Sequence, residues 1–160
     1  MQAIFLEYKT LIVFLHVISA VVWVGGMIAM RYAANPSFMN IQSPLKRLEH
    51  ISKALKKLFT IVLPFVIILI ITAVFMIKGY SLSQTEFKPL VHVKEAIWTI
   101  MFINLIFMII RRNKADKLLN KGDTVGAKNQ LSLIGKYMVP VNIILGTIAI
   151  FLGSTLSSSL

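Results

Sequence analysis

The sequence predicts an all-α integral membrane protein, a four-helix bundle made of two helical hairpins that repeat in parallel. Three observations lead to this fold class. The 160 residues are 57% hydrophobic and their mean hydropathy is +0.79, so the chain has more apolar surface than a soluble domain of this size can bury. Four runs are long enough to cross a hydrocarbon core, which needs about 20 mostly apolar residues. Several uncommon residues also recur at one constant interval.

The first two predicted spans form one hairpin, and the four spans together cover residues 10–30, 58–77, 90–110 and 137–156. The first run is longer than a signal-peptide core and no small-residue cleavage pattern follows it, so we expect a permanent helix. Asn35 and Pro36 are expected to end that helix. Ser43 and Pro44 predict an N-cap and a first helical residue, which begin an amphipathic segment that leads into the second span.

The last two spans form the second hairpin. Pro64 is expected to kink the second span, and Pro140 takes the corresponding place in the fourth. Asp123 or Thr124 is expected to cap the last helical element. Small or polar residues follow one face of that element and predict a helix-packing surface; they are Asn142, Gly146, Ala149 and Gly153.

The net charge of +11 is unevenly distributed along the chain. Thirteen of the 17 lysines and arginines lie between the first and second spans or between the third and fourth. By the positive-inside rule both basic loops face the cytoplasm, and both termini lie outside the inner membrane, in the periplasm. Topology and attraction to anionic membrane lipid account for this pattern, so no nucleic-acid partner is expected. The absence of cysteine excludes disulfides, thiolate metal sites and cysteine nucleophiles.

An internal repeat with an offset of 76 residues places His16 on His92 and Pro64 on Pro140. We therefore expect one transmembrane domain over residues 1–160, with repeats at about 9–79 and 85–156 related by a pseudo-twofold axis along the membrane normal. His16 and His92 would then lie at the same depth and could face each other across the axis. An ionisable side chain at such a depth points to function.

Two facing imidazoles have a specific use as the axial ligands of a haem b between helices. Side chains on the histidine faces are predicted to line the slot for that cofactor; they are Trp23, Met27, Thr99 and Ile103. Copper is the rival metal, because Met and His both suit Cu(I), although the outer loops carry no MxxM or HxxM cluster. A structural pair, hydrogen-bonded to the backbone or to each other, is the third alternative.

The spacing of His16, Trp23, Gly25 and Gly26 resembles the first-helix signature of the CopD and HemJ group of small membrane proteins. The His-x-Lys motif formed by His92 and its neighbour two residues on is similar to that of HemJ-type protoporphyrinogen oxidases. The sequence RRN at residues 111–113 resembles the CopD domain.

The HemJ resemblance implies a haem b held by His16 and His92, with Arg31 and Lys94 as basic residues tied to activity. It also implies a haem-dependent oxidoreductase that oxidises protoporphyrinogen or passes electrons to a quinone or a partner cytochrome. The CopD resemblance implies copper uptake or handling instead. Lys94 lies about 200° from His92 on an ideal helical wheel, so these two are not expected in one pocket. The partners expected are membrane lipid, a quinone or porphyrin, and a second copy of the chain.

Overall fold

The computed structural model of the chain describes residues 2–81 and 88–158, and every regular element in them is helical. The predicted start of the second repeat, residue 85, lies outside these ranges. The α-helices are α1 (Gln2–Glu7), α2 (Lys9–Ala29), α3 (Asn35–Met39), α4 (Pro44–Gly79), α5 (Lys88–Asn120), α6 (Thr124–Leu133) and α7 (Val139–Ser158). Two π-helical segments, Met30–Ala34 and Ile134–Met138, join α2 to α3 and α6 to α7.

Four long helices are apolar and long enough to cross a membrane: Lys9–Met39, α4, α5 and Thr124–Ser157. We number them in that order. The first and third each pack against the second and fourth, so the first and third lie diagonally opposite. Large apolar side chains such as Ile67, Phe107 and Ile144 point outward and are exposed, as expected for helices surrounded by lipid tails. The predicted four-helix bundle is confirmed.

Both short connections between the described helices lie at one end of the bundle, which we call the basic end because most lysines and arginines flank it. Here Ser43 caps α4 by accepting a hydrogen bond from the Lys46 amide at 3.5 Å. Asp123 caps α6 by accepting one from the Gly126 amide at 2.8 Å. Both predicted caps are therefore confirmed, with Asp123 taking the second. The opposite end carries α1 and the last turn of α4, where Phe5 packs against Tyr80.

The sequence predicts that the first long helix ends at Asn35 and Pro36, and this prediction is wrong. It passes the proline through a π turn, in which the Asn35 amide donates to the carbonyl of Met30, five residues back. Proline disrupts an α-helix because it lacks an N–H and its ring meets the carbonyl four residues back. The wider π turn changes which carbonyls face the proline, so the helix continues to Met39.

The second π segment repeats this arrangement and leaves one carbonyl without a donor in its own helix. The Val139 amide donates to Ile134, and the next residue, Pro140, has no N–H. The carbonyl of Gly135 therefore has no helical donor, and Arg31 Nη1 donates to it from the first long helix. This contact ties the first and fourth helices together at the basic end.

Similar residue types recur at an offset of 76 residues, but buried positions recur at a slightly larger offset in the two hairpins. The third helix buries residues 78 positions after those of the first: Trp23, Met27 and Met30 correspond to Met101, Leu105 and Met108. The buried residues of the fourth helix follow those of the second by 79 positions up to the first residue of the π segment, Ile134, and by 80 positions after that segment. These pairs are Leu48 and Ala127, Leu55 and Ile134, Phe59 and Val139, and Val62 and Asn142. The interval grows by one because a π turn holds one extra residue.

Candidate functional site

The side chain of His16 is half-buried in the first long helix, and its Nδ1 lies 3.0 Å from the hydroxyl oxygen of Thr72 on α4. The Thr72 hydroxyl donates to the carbonyls of Ile68 at 2.7 Å and Leu69 at 3.0 Å. We assign the single hydroxyl proton to these carbonyls, so that Thr72 accepts from His16 and Nδ1 carries the imidazole proton. In the neutral imidazole Nε2 is left with a free lone pair, ready to bind a metal or accept a proton.

Lys94 on α5 takes the position in the third helix that His16 takes in the first, 78 residues later. The side chain is half-buried. The ammonium lies over Gly153 of the fourth helix, where an added Cβ would be 3.0 Å from Nζ. No carboxylate pairs with Lys94 among the described residues. His16 and Thr72 thus join the first and second helices, and Lys94 and Gly153 bring the third and fourth helices together.

His92 lies on the outside of the third helix. Its side chain is 62% exposed and its Nδ1 lies 3.1 Å from the Glu95 carboxylate, one turn along the same helix. The predicted partners on its face are exposed too: Thr99 donates to the Glu95 carbonyl at 2.7 Å, and Ile103 is 49% exposed. The structure therefore does not bring His92 together with His16, and cofactor binding by either residue stays a prediction.

Trp23 and Met27, predicted to line the slot beside His16, are both core residues, 2% and 0% exposed. The indole N–H of Trp23 is buried and has no hydrogen-bond partner in the described part of the chain. Such a donor costs about 1–3 kcal/mol when it is left unpaired. It lies two turns from His16 on the same face of α2, so this face carries one ligating group and one unsatisfied donor.

Arg31, the other basic residue implied by the resemblance, is remote from His16. The two lie on the same long helix, and fifteen residues at a rise of 1.5 Å per residue separate them by about 22 Å. Arg31 belongs to the basic end, where it bonds to Gly135. Any shared chemistry of Arg31 and Lys94 would have to cross most of the bundle.

Two asparagines join the third and fourth helices, and the sequence reasoning assigned no role to Asn104. Its amide donates to the carbonyl of Met138 and to Asn142 Oδ1, both at 2.8 Å. Asn142, which is 1% exposed, donates to the carbonyl of Met101 at 3.3 Å. The predicted small-residue face therefore contacts its neighbours by packing and by hydrogen bonds. The sequence signal that could have pointed to this pair is a side-chain amide within the apolar run of each of the two spans.

A second polar network joins α4 and α5 near the basic end. The guanidinium of Arg112, which is 6% exposed, donates to the Ser52 carbonyl at 3.1 Å and pairs with Asp116 at 3.2 Å. The Ser52 hydroxyl donates to the same Asp116 oxygen at 3.3 Å. The arginine that resembles a CopD feature thus has a structural role in this chain.

No family model, no curated protein and no solved structure matches the chain. The likeness to the CopD and HemJ group therefore depends on the few residues named above. Among residues 2–81 and 88–158, no three His, Cys, Asp or Glu side chains lie together in a group that could hold a metal ion. The candidate metal ligand in the interior of the bundle is the imidazole of His16.

Proposed function

We propose that the chain is an integral membrane redox protein that binds one haem b through Nε2 of His16. The observation that carries this proposal is the hydrogen bond from His16 Nδ1 to Thr72. Histidines that bind metals commonly donate their second ring nitrogen to a fixed acceptor, which sets the tautomer and the ring orientation. Thr72 provides that acceptor, since its own proton is directed to the backbone of α4.

The donor set at this site suits a haem better than a bare metal ion. A porphyrin brings four nitrogen ligands of its own, so the protein need supply only axial ligands. The ammonium of Lys94 repels a copper ion but attracts a carboxylate, and a haem carries two propionates. We propose that Lys94 pairs with one of them. Copper handling of the CopD kind, the alternative, has less support for the same reason.

His16 is the histidine that we propose as the haem ligand, and His92 is not paired with it. His92 is exposed and pairs with Glu95, so it does not serve as the second ligand in this arrangement. When bound, the haem supplies one-electron exchange between ferric and ferrous iron. Within the chain, Thr72 orients the imidazole and Lys94 holds the carboxylate.

The electron donor we propose is a small organic molecule, protoporphyrinogen in the case that the HemJ resemblance implies. The acceptor would be a quinone or a partner cytochrome. We further propose that the protein lies in the inner membrane with its basic end in the cytoplasm, as the positive-inside rule implies. His16 and Lys94 would then lie near the periplasmic side, away from the basic loops.

Optical spectra of the detergent-purified protein test the proposal, after expression with a haem precursor and in both the oxidised and the dithionite-reduced state. We expect a b-type spectrum that His16→Ala abolishes and that added imidazole restores, because free imidazole can occupy the vacated ligand position. His92→Ala is the matched control: it removes the same group from an exposed position and should leave the spectrum unchanged.

A colourless wild-type protein under these conditions would overturn the haem assignment. Equal loss of haem in the His16 and His92 variants would instead overturn the single-histidine site and favour facing ligands. Metal analysis of the same samples separates haem iron from bound copper.

A further inference from the structure

A cavity of about 550 Å³ opens at the basic end, between the first π segment, the start of α4 and the segment from α6 into the second π segment. This volume falls within the range of about 300–1,000 Å³ that is usual for ligand sites. Arg31, which lines the cavity, lies about 22 Å along the helix from His16. The cavity is therefore far from His16. It therefore belongs to a different part of the molecule from the proposed haem site.

Four cationic side chains line this cavity, and no acidic residue does: Arg31 and Arg47 come from the first hairpin, Lys128 and Lys136 from the second. The two ion pairs found among the described residues, His92 with Glu95 and Arg112 with Asp116, use none of them. One guanidinium nitrogen of Arg31 is engaged by Gly135, which holds that side chain in place. The charge of the cavity is therefore uncompensated within the described chain.

The rest of the cavity wall is largely apolar. Leu48, Leu55 and Leu131 are buried residues that line it, and Val139 lies where the fourth helix begins its apolar run. The cavity thus has cations around an apolar interior at the boundary between the membrane span and the basic loops. Basic pockets between transmembrane helices on this side of a membrane suit anionic lipid headgroups.

We infer that this cavity binds an acidic phospholipid, with the phosphate held by Arg47 of the first hairpin and Lys128 of the second, and with the acyl chains directed along the apolar helices. Guanidinium and ammonium groups form charge-assisted hydrogen bonds with phosphate oxygens. The lipid would join the two hairpins at the end where Arg31 already connects them. The inference does not depend on haem binding.

Native mass spectrometry of the full-length protein, titrated with phosphatidylglycerol in detergent, tests this site. Phosphatidylcholine with the same acyl chains and inorganic phosphate are the comparison ligands. We expect Arg47→Gln/Lys128→Gln to weaken phosphatidylglycerol binding at least about tenfold, because two charge-assisted contacts are lost. Lys53→Gln/Lys117→Gln is the matched control: it removes the same charge from exposed residues outside the cavity and should change binding less than about threefold.

If the first variant does not fold, Lys128→Gln/Lys136→Gln replaces it, since both of these side chains are exposed. Equal weakening in the cavity and control variants would overturn the site, because general surface charge would then explain binding. Equal affinity for phosphatidylcholine would overturn it as well. Displacement of the lipid by an equal concentration of inorganic phosphate would assign the cavity to a soluble phosphate compound and overturn the lipid inference.

Discussion

Arg31 and Gly135 are joined by a hydrogen bond from the guanidinium of one to the carbonyl oxygen of the other, and each residue lies within a π segment. The two segments therefore meet at the same level of the bundle. Pro140 removes the donor that the Gly135 carbonyl would otherwise receive. A residue that the family resemblance connects with activity thus has a clear structural task at the basic end.

The first prediction concerns this hydrogen bond. Arg31→Met should lower the stability of the bundle by about 1–3 kcal/mol, because the charged hydrogen bond to the half-buried Gly135 carbonyl is lost. In a Pro140→Ala background the loss should be smaller, since residue 140 then has an N–H to offer the same carbonyl. Thermal unfolding of the four proteins in one detergent measures the difference, and an equal loss in both backgrounds would contradict the role assigned to the bond.

The second prediction concerns the acceptor for His16. Thr72→Val keeps the shape of the side chain but removes the acceptor of the imidazole N–H, so haem retention should fall about 10- to 100-fold. Thr60→Val is a close control, because Thr60 also donates to a carbonyl four residues back, at 2.9 Å, but is exposed. Haem content per protein after dialysis is the measurement. Similar losses in the two variants would show that Thr72 acts only through its helix.

The third prediction is that Lys94→Met has opposite effects on stability and binding. Removal of an uncompensated cation from the bundle should raise the melting temperature of the haem-free protein by about 2–4 °C, if the gain is about 1 kcal/mol. The same change should weaken haem retention, because the propionate partner is gone, whereas Lys94→Arg should preserve it. A drop in both quantities with Lys94→Met would identify Lys94 as a packing residue.

The fourth prediction tests the amide pair between the third and fourth helices. Asn142→Leu alone should destabilise the protein by about 1–3 kcal/mol, because the amide of Asn104 loses one buried acceptor. The double change Asn104→Leu/Asn142→Leu should be less destabilising than the two single changes added together. Melting temperatures of the single and double variants decide this. Additive losses would mean that the two asparagines contribute independently.

Composition and span length were sufficient to predict the fold class, because they are properties of the whole chain. The caps at Ser43 and Asp123 could be predicted because a helix cap depends on a few neighbouring residues. They did not predict which side of the third helix faces inward. In water an apolar stripe marks the core, but in a membrane the lipid-facing residues are equally apolar. Ile100 and Phe107 are exposed while Met101 and Met108 are buried, so hydropathy alone gives no contrast between the two faces.

The choice between His92 and Lys94 shows the same difficulty at the candidate site. The 76-residue repeat of residue types aligns His92 with His16 and so predicts that His92 lies inside. Packing decides otherwise: Lys94 lies seven residues before the buried Met101, and hence on the same helix face, whereas His92 is exposed. Trp23 and Met27 were predicted to face inward because they lie on the same face of the first helix as His16, and the structure buries both.

The π segments could not be predicted from rules that treat proline as a helix end. Each of Pro36 and Pro140 comes two positions after the end of a π segment. The residue between donates its backbone amide to the carbonyl five positions back. The helix continues because a tertiary partner, Arg31, satisfies the carbonyl that the second π turn exposes. Such compensation depends on a residue 104 positions away, which no local pattern contains.

The equivalence of His16 and Lys94 has a consequence for the history of the chain. An ancestor made of two identical hairpins would carry the same residue at both positions. Two imidazoles would have offered the same ligand to both sides of a flat guest, and two ammoniums would have repelled each other. In the proposed haem site, an imidazole at one of these positions and an ammonium at the other would favour one orientation of the cofactor over its reverse.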